Sequence, residues 1–248
     1  MTGFWTLVSK ELLEQQRTWR FVGAMAFFSA VALLVTVIPF IVSLFTDIER
    51  DSEFARGLLE AYGGTTATLG ALVAIVFGMG VLANERSSGT AGMVLSKPVS
   101  VAAFVSARFA GMTSSIYLGF AAGSIVMFVL TTILIGYYNA ATFAIYMSII
   151  GFYLIFVSSM TFFWSGMFAR QMLAGGIALV LFIIQLPLTA IPHTQDYWPV
   201  NLVLWASNTS GIWGGGRVSD AWQTFPIALA CIALFVVGAW AIFRRKEL

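Results

Sequence analysis

Six long runs of apolar residues, separated by short polar segments, dominate the pattern of the chain. Each run is close to the roughly 20 residues that an α-helix needs to cross the hydrocarbon core of a bilayer. No Asp, Glu, Lys, Arg or His lies in the middle of any run. The pattern therefore predicts an all-α membrane protein with a single domain, 1–248. Its six predicted transmembrane helices span about 21–45, 62–84, 109–135, 141–168, 172–192 and 225–243.

The first 20 residues have the pattern of an amphipathic helix. Phe4 and Val8 fall on one face of this helix, whereas Lys10 and Glu14 fall on the other. Such a helix lies in the membrane interface, with its tryptophans at the depth of the headgroups. We therefore predict an interfacial N-terminal helix, with a short cytoplasmic helix that does not touch the membrane as the alternative.

The polar segments that connect the predicted spans differ in length and composition. Residues 46–61 are rich in acidic residues and predict a loop, whereas 137–139 allow only a tight turn. That turn makes spans three and four an antiparallel hairpin. Residues 85–107 are polar and mixed, and 193–222 contain several tryptophans, which is typical of an interfacial or re-entrant segment.

Two glycines of the third span, Gly119 and Gly123, have the spacing of a GxxxG motif. Small residues at this spacing let two membrane helices approach closely. Because glycine is common in membrane helices, chance spacing is the alternative interpretation.

The distribution of basic residues predicts the orientation. Of the 13 Lys and Arg residues, Arg50, Arg56 and Arg217 lie in the two segments on one side, and the other ten lie on the side of the N-terminus. Basic residues concentrate on the cytoplasmic side of membrane proteins. We therefore predict that both termini and 85–107 are cytoplasmic, that 193–222 is extracytoplasmic, and that the protein is a multi-pass protein of the cell membrane, a prokaryotic inner or plasma membrane.

Composition excludes several classes of function. Charged residues make up 10% of the chain, compared with roughly 25% in soluble domains. The single cysteine, Cys231, excludes a disulfide framework within the chain, and the single histidine, His193, excludes a histidine metal cluster. No P-loop or H-E-x-x-H motif is present, and the charge-free spans argue against an ion-coupled carrier. We predict no catalytic, cofactor-binding or metal-binding residues in this chain, and no nucleic-acid partner.

The most informative segment connects spans two and three. It begins with Glu85 at the membrane edge and continues through a Gly89-Thr90 turn and a short apolar stretch. Pro98 should end the short helix formed by that stretch, and Ser100 can cap the helix that follows. The result is a short, rigid helix between two membrane helices. The candidate site residues are Glu85, Arg86, Gly89, Thr90, Met93, Leu95 and Pro98.

This segment resembles the ABC-2 type transporter permease family, the membrane subunits of many ABC exporters. Members typically show a glutamate, three residues, Gly-Thr, a Leu-rich turn and a proline before the third span. Glu85, Gly89, Thr90, Leu95 and Pro98 occupy those places. The lysine before this proline departs from the small or apolar residue of many members, so the subfamily stays open.

The resemblance implies a permease that a separate P-loop ATPase drives, with ATP and Mg bound by that ATPase and no cofactor in this chain. It also implies a second permease copy or a related permease, surrounded by membrane lipid. The coupling helix would lie within 85–98, and Arg170 would make a second, smaller contact with the ATPase.

Other interpretations of the same residues remain open. Glu85 can also cap a helix or pair with Arg86 or Arg108, and Arg170 can serve only to set the topology. The alternative function is a non-transporting membrane anchor or assembly subunit, whose partner would lack ATPase motifs. A membrane enzyme that acts on lipid would need polar residues converging at one depth, and the sequence does not indicate them.

Overall fold

A computed structural model describes residues 8–11, 13–15, 19–46, 48–88, 100–136, 139–188, 191, 197–210 and 223–247. Within these ranges the chain is helical and has no strand. The helices are α1 (Arg20–Phe45), α2 (Ser52–Gly78), α3 (Ala83–Ser87), α4 (Val101–Ile135), α5 (Ala140–Met167), α6 (Gln171–Leu188), α7 (Asn201–Ser210) and α8 (Thr224–Glu247). Residues 8–11 and 13–15 are also helical, and we call them the N-terminal segment.

Six helical stretches in the described residues are long and apolar enough to cross a membrane. They are α1, α2 together with α3, α4, α5, α6 and α8. This confirms the prediction of an all-α protein with six membrane-spanning helices.

Helix α5 lies at the centre of the bundle. It contacts α2, α4, α6, α7 and α8, and most of its side chains are buried. Large side chains such as Tyr146, Tyr153 and Phe162 are completely buried along it. Because α5 contacts most of the other helices, a movement of α5 changes contacts through most of the bundle.

Helix α1 packs mainly on α4, and the two glycines of the GxxxG motif make this contact possible. A Cβ added to Gly119 would lie 2.7 Å from the Cβ of Ala24. A Cβ added to Gly123 would lie 2.6 Å from the carbonyl carbon of Phe28. Such distances are shorter than any real contact, so the spacing of these glycines serves helix packing.

The prediction of a loop over 46–61 is wrong from Ser52 onward, whereas residues 46 and 48–51 are not helical. Helix α2 begins at Ser52, where the side chain of Asp51 accepts hydrogen bonds from the backbone N–H groups of Glu53 and Phe54, both at 3.0 Å. An aspartate at this position satisfies N–H groups that have no partner within the helix. Of the acidic residues that indicated a loop, Glu53 and Glu60 therefore lie within a long helix, and Asp51 caps its start.

The predicted cap at Ser100 is confirmed. Its hydroxyl oxygen accepts a hydrogen bond from the N–H of Ala103 at 3.2 Å, and α4 begins at the next residue, Val101. Helix α4 therefore starts eight residues before the predicted third span, 109–135, and ends with it at Ile135.

The two ends of the bundle carry different charges. At one end, which we call the basic end, lie the α2–α3 junction, the start of α4 and the ends of α5 and α8. This end holds Arg86, Arg108, Arg170, Arg244 and Arg245. The opposite end, which we call the acidic end, holds the start of α2 with Asp51, Glu53, Arg56 and Glu60.

Candidate functional site at the basic end

The structure places three of the predicted site residues at the basic end. Glu85 and Arg86 lie in α3, and the exposed Arg170 lies directly before α6. The remaining predicted residues lie outside the described part of the chain: they are Gly89, Thr90, Met93, Leu95 and Pro98. The short helix predicted between the Gly-Thr turn and the proline lies outside it as well.

A buried joint connects α2 to α3. Helix α2 ends at Gly78, and four residues in turn conformation lead to Ala83, the first residue of α3. Leu82 precedes α3 and supplies no side-chain cap. Both Leu82 and Ala83 are completely buried, so their backbone N–H groups need partners from the protein.

Ser165 of α5 supplies these partners. Its Oγ accepts hydrogen bonds from the N–H groups of Leu82 and Ala83, at 3.0 and 3.1 Å. The same hydroxyl donates to the carbonyl oxygen of Met79 at 3.0 Å. A serine hydroxyl has one donor and two acceptor sites, so this completely buried side chain uses all of them on the joint.

Glycines allow this close contact between the joint and its neighbours. A Cβ on Gly78 would lie 2.9 Å from the Cγ2 of Thr161 on α5. A Cβ on Gly80 would lie 2.7 Å from the Nδ2 of Asn84 and 2.9 Å from the Oε1 of Gln171. The joint therefore fits tightly against α5 and the start of α6.

Arg86 adds a second connection between α3 and α5. Its Nη1 donates a hydrogen bond to the carbonyl oxygen of Gly166 at 3.0 Å. Because this carbonyl lies in the last turn of α5, the bond also satisfies a group that has no partner further along the helix. Two consecutive residues of α5, Ser165 and Gly166, thus hold α3.

Arg108 of α4 connects α3 to the N-terminal segment. Its Nη2 lies 2.5 Å from the Oε1 of Glu85, and its Nη1 lies 2.9 Å from the Oε1 of Glu11. The Oε1 of Glu14 is further away, at 3.8 Å. Of the interpretations that the sequence left open for Glu85, the ion pair with Arg108 is present in the structure.

The N-terminal segment brings a buried carboxylate to this cluster. Glu11 is only 6% exposed. Burial raises the pKa of its carboxyl group, the neighbouring Glu14 and Glu85 raise it further, and Arg108 opposes the shift. Arg108 is therefore shared between two close carboxylates.

These contacts attach α3 to two helices of the bundle, and through Arg108 to the N-terminal segment. Ser165 and Arg86 join it to α5, Arg108 joins it to α4, and Glu11 joins the cluster to the N-terminal segment. Within the described residues, no group of three or more His, Cys, Asp and Glu side chains is placed to hold a metal ion. The arrangement is suited to holding a short helix rigidly.

Sequence reasoning did not select Ser165 or Glu11 as site residues. Ser165 is one of several serines and threonines in the fourth apolar run, and nothing in the pattern separates it from the others. Glu11 was assigned to neither face of the predicted N-terminal helix. A charged residue close to the start of a long apolar run, such as Arg108, is the signal that could have led to this cluster.

The sequence profile of the ABC-2 family transporter proteins matches residues 5–193, from the N-terminal segment through α6. The chain belongs to the ABC-2 family of transporter proteins. The match includes the joint, α3 and the Arg108 cluster. Comparison with curated proteins found no match.

Membership of the ABC-2 family makes the chain a multi-pass membrane protein and the permease component of an ABC transporter. Permeases of this family are membrane subunits rather than ATPases, and they work with separate ABC ATPases.

Proposed function

We propose that this chain is the permease subunit of an ATP-driven exporter, and that an ATPase drives it through the segment 85–98 at the basic end. In this proposal the basic end and both termini face the cytoplasm, in the cell membrane. The excess of basic residues on this side supports the orientation, and the resemblance of the segment to ABC-2 exporters supports the direction of transport.

The attachment of α3 to both α5 and α4 is the single observation that carries this proposal. A helix that receives force from a soluble partner must not move independently of the membrane helices. The contacts of Glu85, Arg86 and Ser165 meet this requirement. The ion pair of Glu85 joins α3 to α4, whereas the hydrogen bonds of Arg86 and Ser165 join α3 and its joint to α5. A loop attached only at its two ends would absorb the movement instead.

Arg170 supports a second contact with the ATPase. It is exposed at the same end as α3, and its carbonyl oxygen accepts hydrogen bonds from the N–H groups of Leu173 and Ala174. The residue therefore begins α6 and presents its side chain outside the bundle. We include Arg170 as the smaller of the two contacts.

The proposed transporter contains a second copy of this permease or a related permease. Helix α2 leaves small and hydroxyl-bearing residues at least partly uncovered along one side: they are Gly57, Gly64, Thr65 and Thr68. The space around Gly57 and Gly64 is open, since a Cβ added to either would meet nothing within 4 Å. This side suits close approach of another helix, and surrounding lipid covers the remaining apolar faces.

Copurification with a P-loop ATPase, followed by replacement of Glu85, tests the proposal. Glu85→Gln keeps the size of the side chain and removes the charge that Arg108 binds. We expect the complex to form and to hydrolyse ATP. We also expect that ATP with vanadate no longer changes the protease cleavage pattern of the permease. Glu60→Gln, at the acidic end, is the matched control and should respond to nucleotide like the unchanged protein.

Normal nucleotide response in Glu85→Gln would remove Glu85 from the coupling path. Copurification with a partner that lacks ATPase motifs would contradict the proposed function and favour a non-transporting anchor or assembly subunit.

A further inference from the structure

The α2–α3 joint is an interruption inside a long membrane-spanning stretch. The stretch Ser52–Ser87 is continuous enough to count as one span, yet the helical hydrogen-bond ladder is broken between Gly78 and Ala83. Helices bend where a side chain inserts into this ladder. The inserted group comes from a different helix, since it is the Ser165 hydroxyl of α5.

The Ser165 hydroxyl makes three hydrogen bonds to backbone groups of the joint. Its Oγ bonds to Met79 before the break and to Leu82 and Ala83 after it. The joint therefore cannot bend or straighten without moving Ser165 or losing these bonds. Because the site is buried away from water, loss of a bond leaves a backbone group without a partner, which costs more than at a surface.

Other buried hydroxyls of α5 do not have this arrangement. Ser158 lies two turns before Ser165 on the same side of the helix and is also completely buried. Its Oγ donates to the carbonyl oxygen of Leu154, within α5, at 2.7 Å. Thr161 lies one turn before Ser165, and its hydroxyl likewise bonds within α5, to the carbonyl oxygen of Val157. Ser165 thus bonds to the joint between two other helices, whereas Ser158 and Thr161 bond within α5.

We infer that Ser165 is a positioning residue that transfers movement of α3 to α5, and this inference rests on the proposed coupling role of α3. In this arrangement, movement of the segment that contacts the ATPase reaches the bundle by two routes. One runs along the chain into α2 and α4, and the other runs through the Ser165 hydroxyl, supported by the bond of Arg86 to Gly166, directly into the central helix.

Hydrogen exchange measured on the complex of this chain with its ATPase tests the inference. The variants are Ser165→Ala, which removes the hydroxyl, and Ser165→Cys, which keeps the volume but replaces it with a weak hydrogen-bonding group. Ser158→Ala is the matched control, because it removes a buried hydroxyl of α5 that bonds only within its own helix.

The first readout is exchange of the amides of Leu82 and Ala83 without nucleotide. We expect exchange of these amides to become about tenfold faster in both Ser165 variants, since each loses its acceptor. Ser158→Ala should leave them unchanged. Equal protection of these amides in all three variants would overturn the inference.

The second readout is the change in exchange that ATP with vanadate produces in the last turns of α5, residues 160–167. In the unchanged complex we expect a change both at 79–88 and at 160–167. In the Ser165 variants the change at 79–88 should persist while the change at 160–167 is lost, and ATP hydrolysis should continue. A merely structural role of Ser165 would not separate the two regions in this way.

The two proposals fail differently in this experiment. If nucleotide changes 79–88 and α5 responds equally in Ser165→Ala and in the unchanged complex, the role of Ser165 is wrong while the coupling role of α3 stands. If nucleotide changes nothing at 79–88 in the unchanged complex, the proposed coupling role fails, and this inference fails with it.

Discussion

At the basic end, hydrogen bonds and ion pairs cross from one helix to another, whereas in the middle of the bundle many hydroxyl groups bond within their own helix. Ser165 and Arg108 are examples of the first kind. Ser115, Ser124 and Thr131 are examples of the second, since each donates to the carbonyl oxygen four residues earlier in α4. Sequence composition alone does not separate the two groups.

The middle of the bundle is held together mainly by shape. Phe28 of α1 packs edge-on against Phe120 of α4, with ring centroids 5.6 Å apart, and Gly123 lies against the backbone of Phe28. Such contacts depend on distance and very little on direction. At the basic end, by contrast, directional hydrogen bonds and ion pairs join the helices.

This difference fits the proposal that an ATPase drives the permease from the basic end. Because the bonds of the basic end join α3, α4, α5 and the N-terminal segment, we expect these elements to move together. Each prediction below changes one of these two kinds of contact and asks whether the difference persists.

Replacing Arg108 should have the largest effect. Arg108→Ala leaves Glu11 and Glu85 without their shared partner, and breaking a buried pair in this way costs about 3 kcal/mol or more. We expect a corresponding loss in the free energy of unfolding, measured in detergent by denaturant titration. Arg56→Ala is the control: its exposed pair with Glu60 should be worth about 0.5 kcal/mol. Similar losses in both variants would contradict the claim that the ion pairs of the basic end stabilise the fold more than an exposed pair does.

The next largest effect should come from a glycine in the middle. Gly123→Ala forces a Cβ against the backbone of Phe28, and overpacking of this kind costs about 2 kcal/mol. Gly64→Ala is the control, since the space around Gly64 is open and alanine favours a helix over glycine by about 0.5–1 kcal/mol. Thermal unfolding of both variants measures the difference. A stable Gly123→Ala protein would show that α1 and α4 do not pack as described.

Acidification should tighten the contact of the N-terminal segment with the bundle by a few-fold. The pKa of Glu11 is raised in the folded protein, mainly by burial, so the attached segment binds a proton more readily than the detached one. Attachment is therefore favoured at low pH and weakens as the pH rises through this raised pKa. Hydrogen exchange of residues 8–15 across this range measures it. Glu11→Gln should remove the pH dependence, and its persistence in that variant would contradict this origin.

The smallest effect should come from a hydrogen bond between helices in the middle of the bundle. Gln185 of α6 donates from its Nε2 to the hydroxyl of Tyr153 on α5 at 3.2 Å. Tyr153→Phe removes this acceptor and should cost about 0.6 kcal/mol, the average for such bonds in membrane proteins. A loss as large as that of Arg108→Ala would mean that directional bonds also dominate the middle.

The sequence predicted the helical spans well because the bilayer imposes a length and a composition on each of them. Residues such as Ser100 and Gly123 also carried a local signal, a helix cap and a spacing, that the structure explains. The joint was different. Ser165 and Leu82 are far apart in the sequence, and their contact depends on how α5 packs against α2, which no local pattern encodes.

The acidic residues were interpreted least well. Asp51 and Glu53 indicated a loop, although an acid near a helix start also stabilises that start. Glu11 was not selected as a site residue, although it lies buried beside Arg108 of α4. In both places the charge was compatible with two environments, and only the fold decided between them.

Photo-cross-linking from the exposed Ser87 tests the central claim most directly, because this residue ends α3 at the basic end. A cross-linkable amino acid at this position, in cells that contain the complete transporter, should capture a P-loop ATPase. The same amino acid in place of the exposed Glu49, at the acidic end, should not. Capture of the ATPase from Glu49, or from neither position, would contradict the account.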